Sequence, residues 1–404
     1  MSVPSISAAL PVRRLDEVTT LDPAIASPAT PHAPLPVLVL TADTGGGHRA
    51  AAGAVVEALD RGFPGRFTAV WCDPLGGPTA GAMPRLLAAA YAPVIRWAPW
   101  LWAVAYHASD SAAAMALLGR SALRPVERAL AAAVAAHRPA AVLCCHPLTT
   151  SAATRAAPGL PVMTVITDLG SVHTAWLTGG VEGFGPRRCL RVGTPVSTAF
   201  RAGPATPAER ARLRGERGLD VSGFVVVVTG GGEGAGGIAR RARALLRRVE
   251  DVQVVALCGR NARLRRTLAG VAARSGGRLV VRGYVSDMAD WLRCADLVVG
   301  KAGPGLIAEA TCCGVPLLLT VHVPGQERGN TEFVTAAGAG RHASGVRALV
   351  RQVAALRADP RALASMRAAS AAIARPDAAD LAAAELAAMV AVHPLSPTTE
   401  VADE

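Results

Sequence analysis

From Val37 onward, short runs of aliphatic and β-branched residues alternate with longer Ala-, Leu- and Arg-rich stretches of helical period. A strand covered by helices on both faces is apolar throughout rather than alternating, so this pattern dictates βαβ units around a parallel sheet. The alternation runs once over the first half of the chain and restarts in the second. A chain of 404 residues also exceeds what one hydrophobic core usually organises, so two domains are expected. No repeat of solenoid period is present.

Strands are predicted over 37–41, 67–72, 141–145 and 162–167, with helices over 49–61, in pieces over 83–118, and over 125–137. The second set of strands is predicted over 224–228, 252–257, 279–281, 297–299 and 315–319, with a last helix over 377–392. Gly193-Thr194-Pro195 and an arginine-rich stretch separate the two sets, so the boundary falls near 195–220. The resulting partition is a Pro-rich disordered extension over 1–35, a first α/β domain over 36–200, a second over 201–375, and a C-terminal helix and tail over 376–404.

Net charge narrows the partners. It is +12, yet of the 42 basic residues all but Lys301 are arginine, and they are dispersed. Nucleic-acid binding calls for a basic stripe with interleaved aromatics, which is missing, so no nucleic-acid partner is expected. A surface tolerant of anionic lipid head groups fits the charge. The eight cysteines form no Cys-x-x-Cys pair and no His/Cys cluster at zinc spacing, so free thiols in a reduced, cytoplasmic protein are expected, with no bound metal. No leader of secretory type and no apolar run of spanning length occurs.

Three glycine-rich turns follow predicted strands: Thr41-Ala42-Asp43-Thr44-Gly45-Gly46-Gly47-His48-Arg49, Thr229-Gly230-Gly231-Gly232-Glu233-Gly234, and Lys301-Ala302-Gly303-Pro304-Gly305. Helix N-termini carry unpaired N–H groups and the positive end of the dipole, so such turns suit anions. They also serve tight βα connections that bind nothing. A P-loop is excluded, because alanine follows the only lysine. Gly232-x-Gly234-x-x-Gly237 matches a dinucleotide fingerprint, but Cys258-Gly259-Arg260 stands where the ribose acid belongs. Gly45-x-Gly47-x-x-Ala50 with Asp73 keeps a dinucleotide enzyme open as an alternative. A pyrophosphate between the second and third turns, with Glu309 one helical turn inside to accept from ribose hydroxyls, is the better reading.

These turns, together with Cys258-Gly259-Arg260-Asn261, the helix Leu306-Ile307-Ala308-Glu309-Ala310, and Pro324-Gly325-Gln326-Glu327-Arg328-Gly329-Asn330, resemble monogalactosyldiacylglycerol synthases and the related processive diacylglycerol glucosyltransferases. The wider group includes the peptidoglycan glycosyltransferase that builds lipid II. The likeness runs in order from about Val37 to Ala343 and is most specific across 283–340.

The resemblance implies an α/β fold of GT-B type, with two Rossmann-like, doubly wound domains facing a cleft. The second domain would bind a UDP-hexose and the first a lipid acceptor such as diacylglycerol. It further implies an inverting, metal-independent transfer; the UDP-sugar is a substrate and no cofactor is expected. No Asp-x-Asp pair is present to hold a divalent ion. By position Gly231, Gly232, Gly303 and Gly305 would lie against the pyrophosphate with Glu233 beside them, and Glu309 would bind the ribose. Tyr284, Val285 and Met288 would line the nucleobase, and Gln326, Glu327 and Asn330 would meet sugar hydroxyls. Lys301 would either reach the UDP phosphate or serve structure.

The transfer needs a base for the acceptor hydroxyl and positive charge near the departing UDP. His48 is the favoured base, with Asp43 and Asp168 as rivals or as partners that orient it, and Gly46 and Gly47 on the acceptor side. His146 and His173 also follow predicted strands, where each could face the cleft or be a satisfied structural histidine.

Tyr91, Trp97, Trp100, Trp102 and Tyr106 crowd into sixteen residues beside Pro93 and Pro99. Either they pack a core, or they form an interfacial segment that dips into lipid, helped by Arg85, Arg96, Arg120 and Arg124. The resemblance favours the second, and with it peripheral attachment to the inner face of an anionic membrane. A shortened stretch between Trp176 and Gly193, and the loose match of His173-Thr174-Ala175-Trp176 to the family's His-Pro-Thr-Trp, leave a soluble acceptor or a non-catalytic nucleotide-sugar-binding protein as alternatives.

Overall fold

The computed structural model describes residues 12–13, 33–42, 46–77, 80–177 and 189–393. Asp43, most of the Pro-rich extension, residues 178–188 of the shortened stretch and the tail from 394 lie outside the described residues, as does the Arg96 side chain.

In chain order the strands are β1 (Val12–Arg13), β2 (Leu35–Leu40), β3 (Phe67–Cys72), β4 (Ala141–Cys144), β5 (Val162–Thr164) and β6 (Cys189–Leu190) in the first half. The second half holds β7 (Phe224–Thr229), β8 (Val252–Leu257), β9 (Leu279–Arg282), β10 (Leu297–Lys301), β11 (Leu317–Val321) and β12 (Gly340–His342). Every ladder among them is parallel. The short β1 pairs with β6, so part of the sequence expected to be an extension meets the end of the first domain. β12 and the helix Arg328–Ala336 were not anticipated from sequence.

The first sheet runs β3-β2-β4-β5 and the second β12-β11-β10-β7-β8-β9. Strand order therefore reverses between β2 and β4 in one domain and between β7 and β10 in the other. At such a reversal the two following connections diverge to opposite faces and leave a crevice at the carboxyl ends of the strands. The turns bearing His48, His146, Gly230 and Lys301 are those that leave the four strands in question.

Helices take the positions the apolar spacing requires. Helix Gly47–Gly62 buries Ala51, Ala52, Val55, Ala58 and Leu59, one stripe at three- and four-residue spacing. That stripe does not meet the first sheet alone. Helix Ala378–Val392 returns from the second domain and places Ala379, Ala382, Ala383, Leu386, Ala387 and Val390 in the same core as Val37, Val39 and Val55. The C-terminal helix, set apart from both domains in the sequence partition, thus packs into the core of the first, anchored by Asp380 to Arg61 and Arg201.

The domains meet backbone to backbone. A methyl group built on Gly170 would lie 2.1 Å from the carbonyl carbon of Gly329. Leu169 N–H donates to Asn330 Oδ1 at 3.1 Å across the same contact.

Candidate active site

On the first domain, His48 stands one residue inside the helix that follows β2, and His146 stands just before the helix that follows β4. Because β2 and β4 are neighbours, their rings meet edge to face at 4.9 Å between centroids. Thr167 Oγ1 lies 3.2 Å from His48 Nδ1. Burial pushes the His48 imidazole down to about 4; the Cys145 carbonyl offsets part of this and the positive charge of Lys301 adds to it. His48 is therefore neutral at pH 7. Burial, and then its neighbour His48, hold His146 well below the ordinary histidine range too.

Asp168, four residues past β5, accepts the Trp176 indole N–H at 2.7 Å. Burial raises its carboxyl to about 6; the Trp176 and Gln326 side chains oppose the rise, and the charge of Glu327 adds to it. His173 is committed to structure. Its Nδ1 accepts from Ala175 N–H at 3.0 Å and its Nε2 faces the Tyr106 carbonyl at 3.1 Å. Of the two readings left open for His173, the structural one holds.

On the second domain the turn after β7 folds back on itself so closely that only glycine fits: a methyl group on Gly230 would meet Ala235 O at 1.9 Å, and one on Gly234 would meet Cys258 O at 2.1 Å. Arg260 N–H donates to Gly232 O at 2.7 Å, and the Arg260 guanidinium binds Glu233 at 2.6 Å, locking the turn against 258–261. Gly231 and Gly305, by contrast, have nothing within 4 Å of such a methyl group. Gly305 lies in the first turn of helix Pro304–Cys312, whose N-cap Gly303 offers no side chain to cap it. That is a place where a pyrophosphate could approach backbone N–H groups.

Glu309 sits inside that helix with a carboxyl raised to about 7 by burial. Tyr284 is 66% exposed with the Arg260 guanidinium 5.9 Å above its ring, whereas Val285 and Met288 pack against the domain core.

The loop 323–330 departs most from expectation. Glu327 is only 3% exposed and both oxygens are occupied, one by Lys301 Nζ and the other by Val323 N–H at 2.9 Å. Asn330 is fully enclosed; it donates to Ala302 O at 3.0 Å while accepting from Leu169. Neither presents a free polar group to a sugar. Both fix the loop, and with it the junction of the two domains. Gln326 is the member of this trio that keeps a polar atom without a partner, Oε1.

Lys301 owes its aim to a shift of register between Gly300 and Lys301 in the ladder with β11. Its ammonium reaches Glu327, stands beside Gly303 and exerts its field on His48. The loops of both domains therefore share one cleft.

The dinucleotide alternative loses its acid. Asp73 Oδ1 accepts from Leu75 and Gly76 N–H at 3.0 and 2.7 Å, so this carboxylate closes its own turn.

The aromatic cluster divides in two. Trp97 and Trp100 are 76% and 67% exposed, in company with Leu86, Leu87, Leu101 and Val104. Tyr91 and Trp102 pack edge to face at 4.9 Å, and Tyr106 lies against Gly325. Among the described residues no helix is long and apolar enough to cross a membrane. Three contributors escaped the sequence reading of the catalytic centre: Thr167 beside His48, Trp176 on Asp168, and Tyr106. The signal for the first two was their position in the segment that follows β5.

Comparison with known proteins agrees with this layout. Residues 48–185 match the family described as monogalactosyldiacylglycerol (MGDG) synthase, and residues 225–382 match the glycosyltransferase family 28 C-terminal domain. The chain is 32% identical over 348 residues to the probable monogalactosyldiacylglycerol synthase 2, chloroplastic, of Oryza sativa subsp. japonica, covering 79% of this chain and 72% of the relative. It is 30% identical over 349 residues to monogalactosyldiacylglycerol synthase 3, chloroplastic, of Arabidopsis thaliana, covering 75% and 70%. Among solved structures, Acinetobacter baumannii MurG superposes with a TM-score of 0.58 at 18% identity over 87% of this chain and 99% of that one. Anabaena Alr3699/HepE, in complex with UDP and glucose, superposes with a TM-score of 0.50 at 14% identity over 89% and 98%. These two likenesses establish the two-domain GT-B fold.

Proposed function

Because the chain belongs to the monogalactosyldiacylglycerol synthase family, we propose that it transfers a hexose from a UDP-sugar to diacylglycerol, with inversion, in the cleft between its domains. The observation that carries this reading is the convergence of His48, from the first domain, with Lys301 and the open glycine turns of the second.

In this reading Gly231, Gly232, Gly303 and Gly305 receive the pyrophosphate, Glu309 accepts from ribose hydroxyls, and Tyr284 covers the nucleobase. Gln326 faces the hexose. The acceptor oxygen attacks C1 as the bond from C1 to the phosphate oxygen breaks, and His48 takes the hydroxyl proton. The phosphate charge that develops is met by Lys301 and by the N-terminus of helix Pro304–Cys312. A bound pyrophosphate would also cancel the Lys301 field that depresses His48 and so make that imidazole a better base. Trp176 and Gln326 hold Asp168 in place beside the reacting groups. Glu327 and Asn330 act one step back, by setting the loop and the closure.

The exposed Trp97 and Trp100, with the surrounding aliphatic residues, supply an apolar face that would enter the lipid surface, and arginines of the same region would meet anionic head groups. Peripheral attachment to the inner face of a membrane completes the proposal.

The test is a transfer assay with purified protein, anionic liposomes containing diacylglycerol and a panel of UDP-hexoses, read by mass spectrometry of the extracted lipid. A monohexosyl diacylglycerol is expected. UDP binding without any lipid product would overturn the acceptor assignment.

A further inference from the structure

The aromatic segment does more than face lipid. Helix Pro99–Ser109 turns Trp100, Leu101 and Val104 outward, but its Tyr106, two residues past Val104, reaches the second domain at Gly325. There the ring edge lies against the backbone of Gly325, so closely that a methyl group on that glycine would be 3.0 Å from Tyr106 Cδ1. On its other side the ring meets the His173 ring at 4.7 Å. The ring is thus clamped between the two domains, next to the residue that precedes Gln326.

The phenol oxygen is buried; Ser171 is its neighbour, with no hydrogen bond of ordinary length and angle between them. It lies in the field of Asp168, close to Ser171, and burial raises its proton affinity, so the hydroxyl stays protonated and can donate. A buried hydroxyl without a partner costs stability, and a bound ligand is one way to supply the partner. A second such atom, Gln326 Oε1, belongs to the neighbouring loop residue and is also buried without a partner. One donor and one acceptor, on neighbouring segments of the domain junction and each without a partner of ordinary geometry, suit a hydroxyl-rich, uncharged ring.

We infer that Tyr106 is a specificity residue for the transferred hexose, its phenol donating to one ring hydroxyl while Gln326 Oε1 accepts from another. This rests on the reading of the cleft as the sugar-transfer site. It assigns to a residue of the membrane-facing helix a direct part in choosing the donor, and it links the two tasks through one rigid helix.

The experiment compares wild type with Tyr106→Phe, which keeps the ring between Gly325 and His173 and removes only the hydroxyl. Transfer to diacylglycerol liposomes is measured with UDP-galactose and UDP-glucose, alongside UDP affinity by calorimetry. The expected result is a loss of about tenfold in kcat/KM for the preferred hexose, a smaller loss for its epimer, and UDP affinity within twofold of wild type. Equal kcat/KM values for Tyr106→Phe and wild type with both donors would overturn the inference. Absence of transfer by wild type would instead overturn the underlying functional reading. Loss of UDP affinity in Tyr106→Phe would also count against the inference, since it would mean that the residue supports the donor loop rather than reads the sugar.

Discussion

Gly170 and Gly329 touch through their backbones, each occupying the space where the other's side chain would be. One belongs to the loop that carries Asp168, the other to the first turn of helix Arg328–Ala336, directly after Gln326 and Glu327. This contact sets the spacing of the two halves of the cleft, and no side chain lies between them to yield.

Substituting Gly170→Ala places a carbon 2.1 Å from a main-chain carbonyl carbon, which only separation of the two loops can relieve. Transfer should fall by about tenfold or more, since displacements of an ångström at a reacting centre cost that much. UDP affinity, held within the second domain, should stay close to wild type. Small-angle scattering should show a slightly larger radius of gyration. Unchanged transfer in this variant would mean that the cleft works without the closure.

His48 and Asp168 are shifted in opposite directions by the same burial. The imidazole, lowered to about 4, is neutral above that value, while the carboxyl, raised to about 6, ionises only above its own. If both must be deprotonated, kcat/KM should fall on the acid side with a midpoint near 6, set by Asp168. In Asp168→Asn the residual activity should keep its level down to a lower pH, with the limb moving toward the His48 value. His48→Ala should abolish most transfer, by about 100-fold or more, while leaving UDP affinity nearly intact. Retention of the limb near 6 in Asp168→Asn would remove Asp168 from the proposed mechanism.

Much of this architecture could be read in the chain before folding was considered. The apolar runs locate nine of the twelve strands, all but the short β1, β6 and β12, because a strand buried on both faces has to be apolar throughout. The glycine turns stand out since only glycine lets backbone approach backbone as at Gly230 and Gly234. What stayed hidden depends on which strands become neighbours. His48 and His146 are brought together by the pairing of β2 with β4, an event no local pattern encodes. Asn330 looks like an exposed polar loop residue until the second domain closes on Leu169, 161 residues away in sequence. Glu327 likewise becomes a buried counter-ion only through the aim of Lys301.

The Lys301–Glu327 pair separates structure from catalysis. Lys301→Met leaves a carboxylate enclosed without its cation, which should cost about 2–3 kcal/mol of stability, somewhat below a fully enclosed pair because Lys301 reaches solvent. Adding Glu327→Gln removes the stranded charge, so the double variant should recover much of the lost stability. Transfer should not recover, because the cation that the proposed mechanism sets against the leaving phosphate is still missing. Denaturant melts and the transfer assay on the four proteins of the cycle check this. Recovery of transfer together with stability would assign Lys301 a purely structural role.

Glu309 gives a stability signature that needs no substrate. Burial raises its carboxyl to about 7 from an ordinary 4.5, so its folded form favours the proton. The linked stability is fully present below pH 4.5 and is lost as pH rises through about 7. Glu309→Gln removes the ionisable group, so it should melt higher than wild type at pH 8, by the equivalent of about 1–3 kcal/mol, and the gap should close toward pH 5. UDP affinity should fall in the same variant if the carboxylate accepts from ribose. A gap independent of pH would show that Glu309 is not held in a proton-favouring environment.

The proposed membrane attachment rests on side chains that are mostly exposed. Trp97 and Trp100 are mostly exposed, so Trp97→Ala and Trp100→Ala should leave the melting temperature unchanged. Each indole that enters the lipid interface should strengthen binding, so each substitution should weaken association with anionic liposomes by about tenfold. Raising the salt concentration should weaken the remaining binding further, as expected for arginines on anionic head groups. Trp102→Ala should behave differently, because its ring packs against Tyr91 inside the segment and its loss should lower the melting temperature. Sedimentation with vesicles of phosphatidylglycerol and phosphatidylcholine separates the two classes. Wild-type affinity in the Trp97→Ala, Trp100→Ala double variant would place the lipid-facing surface elsewhere on the first domain.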